Sequence, residues 1–275
     1  MTSISSKSSK SCPAAAAAAL SLVLGLTGAC SGADAAEGEI DLENYALTFD
    51  ESFEEGLDVT PWGETPSRWI AHTPWAGDFG DARFADPTPE FPFTIHDGVL
   101  RIEARKDEEG VWESGLLSAV DPEGEGFAQV NGYFEARMKL PPGKGVWPAF
   151  WLVDGEGSEI DVIEYYGQFP DSFHSVWHFW GENYGGEHLA EDRLTRVPHG
   201  SLYEDFHTYG VDITDETVTI YLDRKAIWQF ETPEQFVGKA FYPLVNLALG
   251  SGWPIDETPD PSYLWVDYIR VYQKK

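Results

Sequence analysis

Cysteine is nearly absent: the 275 residues include only Cys12 and Cys30, both within the first thirty positions. From residue 31 onward the chain can therefore form no internal disulfide, hold no thiolate-bound metal and use no cysteine nucleophile. Positive charge is scarce too, with 18 Lys and Arg against 47 Asp and Glu and a net charge of −29. Such a surface repels nucleic acid and anionic lipid headgroups, and no basic stripe reverses this, so a neutral ligand is the natural partner. Long apolar runs are missing apart from Ala14–Leu26, which is too short for a comfortable membrane span. Lys7 and Lys10 precede that run and Thr27-Gly28-Ala29 follows it, the pattern of an export signal over 1–29. Cys30 directly after the small residues points to lipoprotein processing and a lipid anchor at Cys30. Simple cleavage after Ala29 or Ala35 is the rival. Either route leaves an exported protein, secreted or anchored at a bacterial cell surface or in the periplasm. Residues 30–43 are small and acidic and read as a flexible tether.

Helical periodicity is lacking as well, beyond a turn near Pro233–Val237. Short alternating segments separated by Gly, Pro and Asp run from residue 44 to 275. Val99–Arg105, Gly132–Leu140, His174–Trp180, Phe206–Ile213, Thr217–Asp223, Ala226–Glu231, Tyr242–Gly250 and Leu264–Gln273 all read as strands, and Trp147–Val153 as a buried central one. Ordered sequence begins near Tyr45–Phe49; from there to Pro92, and over Gly181 to Gly200, the chain reads as long loops, which in a compact domain usually carry function. One all-β domain over 44–275, an antiparallel β-sandwich of jelly-roll type with a concave face, is expected. No second domain or protein partner is implied, and a monomer is expected.

The chemistry concentrates in Glu159-Ile160-Asp161-Val162-Ile163-Glu164. On a strand, Glu159 and Asp161 share a face, whereas Glu164, five residues from Glu159, points the other way, into apolar surroundings. An ionised carboxylate there is costly. One extra residue, a β-bulge at Val162 or Ile163, returns Glu164 to the face of the other two. A solvated acidic edge strand is the plain alternative. Paired carboxylates in an aromatic cleft suit glycoside cleavage: one ionised to attack, the other protonated for the leaving oxygen, with a third separating their pKa values.

Here the chain resembles glycoside hydrolase family 16, the concanavalin A-like jelly-roll endoglycanases. Glu159-x-Asp161-x-x-Glu164 matches the bulged motif of the laminarinase-type members rather than the unbulged Glu-x-Asp-x-Glu of lichenases. Tyr133–Arg137, Trp147–Leu152, Phe206–Tyr209, Asn246–Ala248, Gly252–Pro254 and Val266–Tyr272 match as well, so the likeness runs through about residues 45–273. It implies a catalytic domain over 44–275 with Glu159 as nucleophile, Glu164 as general acid/base, Asp161 as their assistant, and retention of configuration. The implied activity is endo-hydrolysis of a neutral β-linked polysaccharide, β-1,3- or mixed β-1,3/1,4-glucan. Alternatives are a bacterial exopolysaccharide of succinoglycan type, another galactan-cleaving specificity, or a non-catalytic lectin on the same sandwich.

Eleven tryptophans exceed the needs of a core, and pyranose faces pack on indole rings. Trp147, at the family's cleft position, and Trp151 on the same face are candidate platforms, with core packing as the alternative for both. Trp253 in Gly250–Pro254 is a stronger candidate and Trp75 a weaker one, while Trp62, Trp69 and Trp228 are assigned to packing. The family places a histidine near the acid/base at His178, and His174 shares its strand face. Two histidines beside carboxylates could mimic a metal site, but the carboxylate mechanism needs no catalytic cofactor. Asn246 matches a family position that reaches the cleft, and His207 reads as structural. Asp267 brings charge to an apolar strand side and needs a partner: an Arg or, as the resemblance implies, one structural calcium with carbonyls near Gly98 and Glu51. The loops around Trp75, Asn183 and Trp253 are where the sugar would be read.

Overall fold

A computed structural model describes residues 38–275 except 64–66, Ala76, 182–185 and Glu187. The stretch expected to be an export signal, Cys30, most of the expected tether and Asn183 lie outside the described residues. Two sheets form the sandwich. The first runs β17 (Lys225–Glu231), β16 (Thr217–Leu222), β15 (His207–Ile213), β10 (Gly132–Lys139), β19 (Ser262–Lys274), β6 (Val99–Lys106), β7 (Trp112–Ser114) and β4 (Arg83–Phe84). Two further strands join it: β1 (Tyr45–Glu51) on β19 and β5 (Phe93–His96) on β6. The second runs β14 (Leu189–Arg196), β13 (Ser172–Phe179), β12 (Ser158–Glu164), β11 (Val146–Val153), β18 (Ala240–Leu249), β8 (Leu116–Ser118), β3 (Trp69–Ile70) and β2 (Val59–Thr60), with β9 (Gln129–Val130) on β18.

Period-2 alternation builds the core between them. Phe134, Ala136 and Met138 of β10 are fully buried from one side, and Phe150, Leu152, Ile160 and Leu247 from the other. Full burial of an Ile or Phe side chain contributes about 1.5–3 kcal/mol, so each alternation is worth keeping in register. β18 is buried from Phe241 to Leu249, on both faces. Loop residues cover its outer side.

Three expectations change. Gly181–Gly200 is not all loop: β14 pairs along its whole length with β13. Its sequence, LAEDRLTR, shows no apolar face because it is an exposed edge strand, and its charges discourage pairing with another chain. A single helical turn, α1 (Ser201–Glu204), follows it. The antiparallel rule also has two exceptions, since the two-residue pairs β2–β3 and β4–β7 are parallel. Long crossing loops create these contacts, not hairpins.

The bulge in β12 is where expected. Against β11, Phe150 pairs with Ile163 and Trp151 with Asp161, leaving Val162 as the extra residue. Against β13, Asp161 faces Val176 and Glu164 faces His174, so Val162 and Ile163 together oppose Ser175. A bulge disrupts the ladder, and here fully buried Ser175 donates its hydroxyl to the Val162 carbonyl at 2.8 Å. Val162 and Ile163 are both buried, and Glu164 returns to the side of Asp161.

Candidate active site

The outer face of the second sheet carries the three carboxylates in a row, between β11 and β13. Glu159 accepts a hydrogen bond at Oε2 from the Trp180 indole (2.8 Å), which leaves its other oxygen unclaimed by that donor. Glu164 accepts at Oε1 from Trp147 (3.0 Å) and from the Tyr166 hydroxyl (3.3 Å). Asp161 lies between them, with Nε2 of His178 3.2 Å from its Oδ2. That contact is within ion-pair distance but is not aligned as a hydrogen bond. Among the described residues, none of the three pairs with Lys or Arg.

Burial without a cation sets the electrostatics. All three carboxyls are held above the ordinary carboxylate range, and burial is the largest cause for each. The charge of Asp161 adds to the rise at Glu159, and that of Glu164 to the rise at Asp161. For Glu164 the hydrogen bond from Trp147 and the nearby His178 oppose the rise. The row thus holds protons into a pH range where an exposed carboxylate has lost them.

Aromatic rings surround the row. Phe79 sits edge-on to both Trp147 and Trp151, with centroids 5.4 and 5.9 Å away. Gly80 seats that loop: a Cβ there would lie 2.5 Å from the Leu249 carbonyl oxygen. Tyr166 stacks near Trp147, Trp253 meets Phe169 edge-on, and Trp180 stacks on His178 and, at 4.1 Å, on His188.

This sandwich, with its bulged carboxylate strand, is matched by known proteins. Residues 100–269, more than half of the chain, match the profile described as Glycosyl hydrolases family 16. The chain belongs to glycoside hydrolase family 16. Endo-1,3-1,4-beta-glycanase ExsH of Rhizobium meliloti (strain 1021) is 37% identical over 194 residues, covering 66% of this chain and 39% of that protein. Glucan endo-1,3-beta-glucosidase A1 of Niallia circulans is 26% identical over 258 residues, covering 80% of this chain and 36% of that protein. The chain thus spans about two fifths of the length of these relatives. Among solved structures, SCLam, a non-specific endo-beta-1,3(4)-glucanase from family GH16, superposes with a TM-score of 0.70 at 25% identity, over 88% of this chain and 97% of its own.

Within this family 16 cleft the expected residues divide into three groups. Glu159, Asp161, Glu164, Trp147 and His178 come together around one point. Trp253 is 41% exposed at the cleft rim and Trp75 is 44% exposed, edge-on to Trp151. Trp151 and Asn246 do not reach the surface. Asn246 is fully buried and accepts from the Trp151 indole at 2.8 Å, under Phe79 and Trp75. Their expected contact with substrate gives way to a bracing role, because a loop distant in sequence covers them. Trp62 departs from its packing assignment, being half-exposed and stacked on His72 at 4.3 Å. Trp69 and Trp228 are buried as expected.

His174 turns to Asp192 of β14 at 2.8 Å, which raises its pKa, and His178 pairs instead with His188. His207 is tied to Asp223 and the Ser201 carbonyl, a structural role. Trp180, Tyr166, Phe79 and His188 were not anticipated. Alternation alone could have found two of them, since Trp180 is two residues past His178 and Tyr166 two past Glu164.

On the opposite sheet, Asp267 meets the Arg partner weighed as the alternative to calcium: Arg137 lies 2.5 Å from its Oδ2. A cavity beside it is lined by Ser52, Glu54, Asp97, Gly98 and Asp267 together with Tyr268 and Arg270. Those oxygens are hard donors of the kind calcium takes, so the residues fit such an ion. The Glu51 carboxylate is not among them. It accepts from the Phe53 amide and the Trp69 indole and forms an ion pair with Arg68, and its neighbours Ser52 and Glu54 line the cavity instead.

Proposed function

We propose that the chain is a retaining endo-β-glucanase that hydrolyses β-1,3- or mixed β-1,3/1,4-glucan. The observation that carries this reading is the row of buried Asp161 and half-buried Glu159 and Glu164 among aromatic rings, with no Lys or Arg partner among the described residues. In the first step Glu159 attacks the anomeric carbon with the oxygen that Trp180 does not hold. Glu164, its Oε1 occupied by Trp147 and Tyr166, delivers a proton from its other oxygen to the leaving group. In the second, Glu164 takes a proton from water, which displaces Glu159 and restores the starting configuration. Asp161 lowers the cost of charge on Glu159 by holding the proton the pair shares, and the Trp180 indole steadies that charge as it forms.

The substrate class rests on three supports. ExsH is named an endo-1,3-1,4-beta-glycanase, and the Niallia protein and SCLam are named for action on β-1,3- and β-1,3(4)-glucan. The net charge of −29 suits a neutral polymer. Exposed Trp180 holds Glu159, and exposed Trp253 stands in the Gly250–Pro254 loop, each offering a ring on which a pyranose can pack. A lectin would use neither a proton donor nor a nucleophile.

Incubation with laminarin, mixed-linkage glucan and agarose tests the reading. Oligosaccharides from the first two, with the β-anomer appearing first in the NMR spectrum, are expected. Cleavage of agarose alone, or first release of the α-anomer, would contradict it. Asp267, Glu54 and Asp97 would hold the structural calcium, which contributes to stability and takes no part in the reaction. Added calcium should raise the melting temperature of the chain and leave that of Asp267→Asn unchanged; equal shifts would place the ion elsewhere.

A further inference from the structure

Hydrogen bonding in the cleft is incomplete at one atom. Asp161 is only 4% exposed, yet its Oδ2 accepts no hydrogen bond among the described residues. Nε2 of His178 lies 3.2 Å away. An oxygen of Glu159 completes a triangle whose three donor atoms all lie within 4.8 Å of one another. Tetrahedral zinc, with ligands at about 2.0–2.2 Å, separates its donors by about 3.3 Å. The Asp161–His178 pair already stands at that spacing, and Glu159 reaches it by a rotation of about 1.5 Å or less.

We propose that Glu159, Asp161 and His178 form a binding site for a zinc ion, and that the ion shuts the enzyme off by occupying its nucleophile. The imidazole selects the metal: calcium and magnesium take oxygen ligands, whereas a nitrogen with two carboxylates suits zinc. His188 supplies the outer partner that a metal-binding histidine needs. Its Nε2 lies 2.9 Å from Nδ1 of His178, and when Nδ1 donates along that contact, Nε2 presents its lone pair to Asp161 and the ion. Trp180 stacks on both imidazoles and holds Glu159, fixing three of the groups involved. The charge balance favours the ion too. Three adjacent carboxylates without Lys or Arg cannot all ionise cheaply by themselves, and a divalent cation removes that cost. Zinc binding follows from the geometry alone; its inhibitory consequence rests on the role proposed for Glu159.

The test titrates the mature chain with zinc by calorimetry and with cobalt(II) by visible absorption. Wild type, His178→Gln, Asp161→Asn, His188→Ala and Asp267→Asn are compared, each first shown to unfold cooperatively. One ion per chain is expected, with intense low-coordinate cobalt bands. Binding should vanish in His178→Gln and Asp161→Asn, weaken about 10- to 100-fold in His188→Ala, and persist in Asp267→Asn. Zinc should suppress glucan hydrolysis over the concentration range in which it binds. Binding that survives both His178→Gln and Asp161→Asn, or full hydrolysis with zinc bound, overturns the proposal. Should the chain cleave no glucan at all, the functional reading fails while the cobalt spectrum still decides the site.

Discussion

Two sets of buried carboxylates lie on opposite outer faces of this sandwich, and their partners differ. Glu135 on β10 is fully buried, and the Arg224 guanidinium grips both of its oxygens, at 2.7 and 3.1 Å, with the Tyr272 hydroxyl 3.3 Å away. Glu159, Asp161 and Glu164 on β12 have indole and phenol donors, one imidazole and each other. The first arrangement neutralises a charge and holds two strands and a turn together. The second keeps protons where water would have taken them. Glu135 is given a guanidinium, and the three carboxylates proposed to act on substrate have no Lys or Arg among the described residues.

The largest effect separating the two sets should come from Glu164→Gln, which removes the proposed proton donor. A loss of about 10²–10⁴ in kcat is expected on glucan, with the melting temperature held or raised. Next comes Arg224→Met, which strands the charge of Glu135. It should cost about 3 kcal/mol in chemical denaturation, the low end for a broken buried pair because the guanidinium is 41% exposed, while kcat per folded molecule stays at the wild-type value. Stability loss in the first variant, or activity loss in the second, would erase the distinction.

The folded-state pKa values of the trio are raised above their unfolded ones. Their favourable contribution is therefore complete below the ordinary carboxylate range and is lost as pH rises through the raised folded values. Asp161→Asn should make the chain more stable than wild type at neutral pH and no different at strongly acidic pH, measured by denaturation across pH. The smallest effect belongs to the rim. Trp253→Ala should raise KM about 5-fold, the equivalent of about 1 kcal/mol of ring contact, and change stability by less than about 0.5 kcal/mol.

Much of the cleft was legible because its logic is local. Glu159 and Asp161 share parity and Glu164 does not, so a bulge follows from the cost of burying a charge. Only the structure shows Ser175 satisfying the carbonyl that the bulge frees. β14 was missed because an edge strand wetted on both faces has no apolar period to detect. Asn246 reads as a cleft residue, and Trp151 as a platform or a core residue, because nothing in β11 or β18 announces the cover laid over Trp151 by Trp75 and Phe79 from a loop distant in sequence. The pairing of His178 with His188 crosses from β13 to the start of β14, and a histidine in a polar stretch gives no sign of it.

The nucleophile role proposed for Glu159 is open to direct chemical trapping. A 2-deoxy-2-fluoro glucan oligosaccharide with a good leaving group should trap the glycosyl-enzyme, and peptide mass spectrometry then locates the sugar. An ester on Glu159, absent in Glu159→Gln, is the predicted result. An ester on Glu164, or turnover with no ester on any carboxylate, would contradict it.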